Sequence, residues 1–400
     1  MPMRHAASGD RGVYDVVVAG GGPAGCAAAL TLAQAGLRVL LADAGGGPPK
    51  LGESLVSVAR LLLADLGVAE ETLGSGHVPC YGSLSAWGSA DLHAVDSLRD
   101  PYGHGWHLDR PLFDRRLRAA VRSAGAEVAD RTSVQRLVPS PSPSPSPSSS
   151  PSSSSDDGWQ ITLHDREAGS ERAVRCRWVV DATGRKAAVA IPAGARRRTT
   201  DRLTAHHVTL AAAPGARDQP TDGRNLVESD PDGWWYTALM PSRERLVVYF
   251  TDPDLPTAAP RTAAEFRHRM LATRHVSARV RDHDLTRLPA PGRAPAYTAY
   301  LDRVHGEGWV AVGDAAAAFD PLSSQGILTA LYTGLSAGKA VAARLRGDSA
   351  ALPEYASAVA TARDAYGQGY GAVHTQEARW ALHPFWARRY PHPHHSEGSK

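Results

Sequence analysis

Residues 14–43 read YDVVVAGGGPAGCAAALTLAQAGLRVLLAD. Residues 14–19 are a short apolar run, β-branched at its centre, which predicts a buried strand. The glycine cluster from Gly20 to Gly25 interrupts it, and the alanine- and leucine-rich residues 24–34 predict a helix. Residues 37–42 predict a second buried strand, ending at Asp43. Strand, glycine turn, helix and strand in this order open a parallel α/β sheet.

Gly20, Gly22 and Gly25 fit G-x-G-x-x-G in the setting the motif requires. Gly20 permits the tight turn, Gly22 lets backbone approach a pyrophosphate, and Gly25 lets helix and strand pack closely. Pro23 and Ala24 lie inside the motif, where the helix N-terminus faces an anion with its partial positive charge. Asp43 is placed to accept the ribose hydroxyls of a dinucleotide.

Two further strands end in polar loops. Residues 174–181 (VRCRWVVD) run into Ala182-Thr183-Gly184-Arg185, and residues 308–326 read GWVAVGDAAAAFDPLSSQG. The second delivers Asp314 to the carboxyl end of a strand, where ligands of open α/β sheets sit. Pro321 closes its loop, and Gly326 lies near the start of a helix expected over about 325–345.

The whole chain has 400 residues, 42% hydrophobic and 21% charged, enough for two or three domains with a large core. A net charge of +3 gives no ground for nucleic-acid or anionic-membrane partners. The three cysteines, Cys26, Cys80 and Cys176, form no C-x-x-C pair and suit a reducing compartment. No secretory signal or run of eighteen apolar residues is visible, so a cytoplasmic protein is expected. Residues 139–155 (PSPSPSPSPSSSPSSSS) are low in complexity and are expected to extend a hairpin tip between strands at 133–138 and 159–163. Strand-like runs at 205–211, 235–240 and 245–250, with a helix near 262–280, predict a β-rich second domain.

The glycine motif, residues 181–185 and Gly313-Asp314 occur in the order and spacing of the FAD-dependent monooxygenases with the p-hydroxybenzoate hydroxylase fold, which the chain resembles. Gly52-Glu53-Ser54, Ala86-Trp87-Gly88-Ser89, residues 102–110 (YGHGWHLDR) and Gly233-Trp234-Trp235-Tyr236 look like the branch that holds the tryptophan halogenases and LodB-like flavoproteins. The resemblance implies an α/β chain: a doubly wound, Rossmann-type FAD-binding domain with a second, β-rich substrate domain. Its expected parts are 13–198 (with a disordered insert at 139–157), the substrate domain at 199–300, the end of the FAD domain at 301–347, and a C-terminal helical segment and flexible tail at 348–400.

The resemblance also assigns roles. Glu53 and Ser54 would lie on a loop near the flavin, Arg110 would contact FAD phosphate or ribityl oxygens, Asp314 the ribityl chain, and Pro321 and Gly326 would flank the isoalloxazine. Glu53 is then an acid/base or gate, or a loop carboxylate satisfied by backbone N–H groups. His104 or His107 is a proton acceptor or a structural histidine. Trp234, Trp235 and Tyr236 line the substrate pocket or the domain core, the pocket being favoured because adjacent strand residues face opposite sides. The implied reaction is hydroxylation of an aromatic ring, with indole or tryptophan, free or peptide- or protein-bound, as substrate. It would pass through a flavin C4a-hydroperoxide, with NAD(P)H as reductant directly or through a separate flavin reductase.

Halogenation and substrate reduction or dehydrogenation are the alternatives. The halogenase lysine would fall between residues 53 and 87, yet no lysine occurs from 51 to 185, and GWWYTALMP at 233–241 departs from G-W-x-W-x-I-P. No metal site is expected.

Overall fold

The computed structural model describes residues 12–46, 54–140, 158–213, 222–255 and 259–390. Strand Val13–Ala19 is central to a sheet, with Ser170–Asp181 on one side and Val39–Ala42 on the other, all parallel. Trp309–Ala311 extends the sheet beyond Ser170–Asp181, and Glu127–Ala129 extends it beyond Val39–Ala42, again in parallel. Val16, Val17 and Val18 have no solvent exposure; they share a core with helix Pro23–Gln34 and with Ile161 and Leu163 of an antiparallel strand. Since the strands are parallel, Ala19, Asp181, Ala311 and Ala42 all end at one edge, and the loops that follow them gather there.

Helix Pro23–Gln34 packs along the long helix Gly326–Leu345 through small residues. A Cβ on Gly334 would lie 2.2 Å from the Ala24 carbonyl oxygen, and one on Gly338 2.7 Å from Thr31 Cβ. Glycine at both positions lets the two backbones approach and brings both helix N-termini to the loop-bearing edge.

The hairpin flanking the Pro/Ser segment forms as expected. Thr132–Pro139 pairs antiparallel with Trp159–Asp165, Pro139 opposite Trp159. Residues 141–157 fall outside the described chain.

The second sheet is largely antiparallel. It is built on Thr204–Leu210, Arg245–Thr251, Gly233–Leu239 and Asn225–Asp230, and the helical segment is split into Ala263–Ala272 and Val276–Arg279. Gly292–Pro295 forms one edge, and two strands from early in the chain, Gly82–Ala86 and His93–Asp96, form the other, although the sequence reading kept 13–198 in the first domain. Gly82–Ala86 is short and mostly polar and His93–Asp96 is fully exposed, so neither carries an apolar pattern that would reveal it.

Both faces of the second sheet are covered. Phe266 and Met270 of helix Ala263–Ala272 pack on one face, and Phe385 and Trp386 near the end of the described chain pack on the other. The segment after helix Ala351–Gln376 is therefore packed structure up to residue 390, with Phe385 and Trp386 fully buried. No helix among the described residues is long and apolar enough to cross a membrane.

Candidate functional site

At the loop-bearing edge, Gly20 has φ +111°, and a Cβ there would lie 2.2 Å from the Ala182 carbonyl oxygen. A Cβ on Gly25 would lie 1.8 Å from the Gly20 oxygen. Turn and helix are thus locked together by positions where only glycine fits. Gly22 caps helix Pro23–Gln34 in an extended conformation, with no side chain capping the helix and no acidic residue in its first turn. Pro23 has no N–H to satisfy, so the Ala24 and Gly25 amides of the first turn are presented to whatever anion lies beyond. This geometry fits a diphosphate.

Sequence reasoning missed Gly21 and Arg118. A Cβ on Gly21 would come within 2.7 Å of Asp43 Cβ, which brings the glycine turn against the acidic strand end. Arg118 Nη1 lies 3.1 Å from Asp43 Oδ2 and donates to the Gly21 carbonyl at 3.2 Å. Arg110, Asp114 and Arg118 recur every four residues along helix Arg110–Ser123 and so share one face, which was the available signal. Arg110 is largely buried and lies 3.4 Å from Asp114. The Asp109 carboxylate caps the helix by accepting from the Leu112 N–H at 2.8 Å.

Asp314 follows strand Trp309–Ala311 and keeps 44% of its side chain exposed toward the edge where these loops meet. Burial of the surrounding site pushes its carboxyl up, and the guanidinium groups of Arg185, Arg197 and Arg110 pull it back. The loop bearing Arg185 is held by Asp181, which accepts from the Thr183 N–H and hydroxyl and from the Val189 and Ala190 N–H groups. Asp181 is therefore an organiser of the loop, and Arg185 is its reach into the site, 3.7 Å from Asp314.

Beyond Asp314, Phe319 and residues 322–325 line a cleft of about 1260 Å³ between the second sheet, the short strands Ser54–Leu55 and Gly105–His107, and helix Ala351–Gln376. Its aromatic walls include Trp87, Trp106, Phe319, Tyr366 and Tyr370, and among the described residues no lysine lines it. Asp320 is 1% exposed beside the cleft. Its Oδ1 accepts from the Leu322 N–H at 2.8 Å, whereas Oδ2 has no hydrogen-bond partner among the described residues. Burial raises its carboxyl to about 7 against the pull of the Leu322 amide and Arg389, and Asp201 adds to the rise. The sequence alone suggested a turn-forming Asp-Pro here and gave no sign of this burial.

The three side chains expected to carry catalysis fare differently. Glu53 lies, with Gly52, outside the described residues. His107 is fully buried and does not line the cleft; its Nε2–H donates to the Gly223 carbonyl at 2.7 Å. Trp235 is also fully buried, its ring 4.5 Å from Tyr249 and 5.3 Å from Phe266, and Trp234 stacks 3.9 Å from Phe250 on the opposite face. Direct substrate contact by His107 or Trp235 is therefore corrected. Alternation does send the two tryptophans to opposite faces, but both faces of this central strand are covered.

Ser54 lines the cleft and meets the Tyr236 hydroxyl at 2.8 Å. Pro321 starts a short 3₁₀ turn and Gly326 the long helix, which places both on the segment that borders the cleft. His104 bonds the Gly105 carbonyl at 2.8 Å.

Comparison with known proteins agrees with this geometry. The profile described as "FAD binding domain" matches residues 13–365. LodB of Marinomonas mediterranea, named as an FAD-dependent oxidoreductase, is 30% identical over 380 residues, covering 94% of this chain and 97% of that protein. The 1H-pyrrole-2-carbonyl-[peptidyl-carrier protein] brominase of Pseudoalteromonas luteoviolacea is 24% identical, with 86% and 80% covered. The solved structure of the peptidyl tryptophan dihydroxylase QhpG has the same fold, with a TM-score of 0.74 at 23% identity over 94% of this chain and 78% of that one. A dinucleotide cradle of glycines and carboxylates, a profile match over most of the chain and near full-length similarity to LodB lead to one assignment: the chain is a flavoenzyme of the FAD-binding-domain family, with LodB-like oxidoreductases and flavin-dependent halogenases among its relatives.

Proposed function

We propose that this chain is an FAD-dependent monooxygenase that hydroxylates an indole-type aromatic ring carried by a peptide or protein. The observation that carries this reading is the cleft: it begins at the segment following Asp314, has aromatic walls, and has no lysine among its described lining residues. At about 1260 Å³, with Ser54 and residues 322–325 on its wall, it has room for a flavin ring and an aromatic substrate ring together. The relatives that act on peptidyl-carrier-bound and peptidyl substrates support a ring carried by a peptide or protein.

The amides of the glycine turn and the N-terminus of helix Pro23–Gln34 hold the FAD diphosphate, with Gly20, Gly22, Pro23, Ala24 and Gly25 shaping that cradle. Asp43 would accept the ribose hydroxyls, Asp314 and Arg110 would reach the ribityl chain and phosphates, and Pro321, Gly326 and Ser54 would lie near the ring. Reduced FAD supplies the oxygen activation. The chain's own task is to orient the aromatic ring between Trp106, Tyr366 and Tyr370, to exclude water, and to accept a proton. Asp320, with a carboxyl near neutrality beside the cleft, suits that last role. NAD(P)H reduces the flavin, directly or through a separate flavin reductase, and anaerobic bleaching with and without added reductase separates the two.

Halogenation is the second reading, favoured by the brominase and halogenase relatives. Both readings are tested by reducing the flavoprotein anaerobically, then mixing it with oxygenated buffer containing bromide and a tryptophan peptide. The expected product is the peptide with added oxygen. A bromine mass shift would establish the halogenase instead. Flavin reoxidation with an unchanged peptide would remove the hydroxylase reading for this substrate class and favour reduction or dehydrogenation.

A further inference from the structure

The second sheet ends differently at its two edges. Gly292–Pro295 closes one of them, with Pro291 just before it and Pro295 within it, and a proline offers no N–H to a further strand. His93–Asp96 closes the other and pairs only with Gly82–Ala86. It holds no proline or lysine, and all four of its residues are exposed.

Register settles which backbone groups this second edge leaves open. The Ser97 N–H donates to the Tyr81 carbonyl at 2.9 Å, and the strands then pair Asp96 with Gly82, Val95 with Ser83, Ala94 with Leu84 and His93 with Ser85. Bonded and non-bonded pairs alternate along an antiparallel ladder. Val95 and His93 therefore bond to Gly82–Ala86, while the N–H and C=O groups of Ala94 and Asp96 point away from it. Among the described residues, no group bonds these outward amides and carbonyls.

The open edge belongs to the cleft. His93, Val95 and Asp96 line it, together with Ser83 and Ser85, which stand opposite Val95 and His93. Consecutive side chains on a strand face opposite ways, so Val95 and Asp96 both border the cavity by presenting the strand's edge to it. Apolar surface collects here. Val95 is 67% exposed and Leu98 93%, and Tyr81, Leu92 and Tyr102 are exposed as well. Five of the eleven exposed large apolar side chains among the described residues thus fall between positions 81 and 102, a concentration that marks a contact surface.

We propose that this edge docks the backbone of the substrate: an extended peptide segment adds to His93–Asp96 as a further strand and delivers its aromatic side chain into the cleft. This docking mode rests on the peptide-hydroxylase reading and specifies how the chain that carries the ring is held. A row of unpaired donors and acceptors is complementary to one kind of occupant, another extended backbone. A strand laid there lies about 4.8 Å from His93–Asp96, and its alternate side chains fall on the face shared by His93 and Val95. That face borders the cleft, so the ring enters from it, while Leu98, Tyr81 and Tyr102 take apolar residues of the same segment. The backbone bonds accept any extended sequence, and the aromatic walls select the residue that is oxidised.

Flavin-loaded, oxidised protein without reductant, mixed with a dye-labelled, threonine-rich decapeptide carrying one central tryptophan, tests this. Fluorescence anisotropy is expected to show binding, and hydrogen exchange to slow across residues 93–97. N-methylation of every second peptide amide should weaken binding about fivefold or more in one phase and have little effect in the other, the period-two signature of strand addition. Ala94→Pro removes an outward N–H, a change edge strands accept, and should weaken binding of the unmodified peptide to a similar extent with flavin absorbance retained. Absence of binding, equal tolerance of both N-methyl phases, or unchanged binding by a flavin-retaining Ala94→Pro protein overturns the proposal. So does a dimer of the chain that Ala94→Pro dissociates, which would assign the edge to a second copy. Failure of the hydroxylase reading is a separate result: a peptide held at the edge but left unoxidised when reduced flavin meets oxygen. Oxygen added to a peptide whose binding ignores the edge would uphold that reading and remove this one.

Discussion

The Ser54 hydroxyl and the Tyr236 phenol lie 2.8 Å apart, although 182 residues separate them in the chain. Ser54 begins the short strand Ser54–Leu55 and Tyr236 belongs to the second sheet, so this bond ties that strand to the second sheet. Tyr236→Phe removes it without changing the ring. The expected cost is about 1 kcal/mol of stability in denaturant unfolding. A larger loss in kcat/KM than in stability would show that the bond aligns the domains for turnover.

Gly22 has φ −79° and ψ −177°, which any residue can adopt. Gly22→Val should therefore leave the protein folded but remove flavin, because the side chain occupies the diphosphate approach. Gly334→Ala should do the reverse. Its Cβ would meet the Ala24 oxygen at 2.2 Å, so stability falls by roughly 1–3 kcal/mol as the helices separate. Circular dichroism and flavin content, measured on both variants, distinguish the two effects.

Asp320 gives a pH prediction with a definite sign. Its folded carboxyl titrates at about 7, above the ordinary value of about 3.9 in the unfolded chain. Between those values the folded state binds the extra proton. Its contribution to stability is thus complete below about pH 3.9 and is lost as pH rises through 7. Asp320→Asn cannot ionise, so relative to wild type it should gain stability steadily between pH 4 and 7, by on the order of a few kcal/mol, read as a growing difference in Tm. A difference in Tm that stays constant over that range would contradict the assignment.

Glu377 ties the C-terminal segment to the second sheet. Its fully buried carboxylate accepts from the Gly88 N–H at 2.8 Å, the Ser229 hydroxyl at 2.6 Å and Arg379 at 2.6 Å. Glu377→Ala leaves these donors without an acceptor and should cost on the order of 3 kcal/mol. Limited proteolysis should then cut near residue 380 before the rest of the protein is attacked. Equal resistance of variant and wild type would show that Phe385 and Trp386 hold the segment unaided.

The cofactor half of the site was legible because its determinants are local. Gly20, Gly25 and Asp43 occupy positions that a strand–turn–helix unit fixes over thirty consecutive residues, and Asp314 stands at the end of a strand whose apolar run is plain in the chain. The catalytic expectations for His107 and Trp235 rested on which way a side chain faces, and facing depends on what covers each side of a strand. Phe266 covers one face of Gly233–Leu239 and Phe385 with Trp386 the other, from segments distant in sequence.

The sequence by itself determined a dinucleotide-binding α/β unit, a second β-rich region and a lysine-poor site, because glycine conformations, apolar periodicity and composition are properties of short stretches. Only the tertiary structure decided that Gly82–Ala86 and His93–Asp96 join the second sheet and that Asp320 is buried beside the cleft. Those facts arise from strand pairings and burial between segments far apart in the chain, and no local pattern encodes which distant partner a short polar strand or a single carboxylate will find.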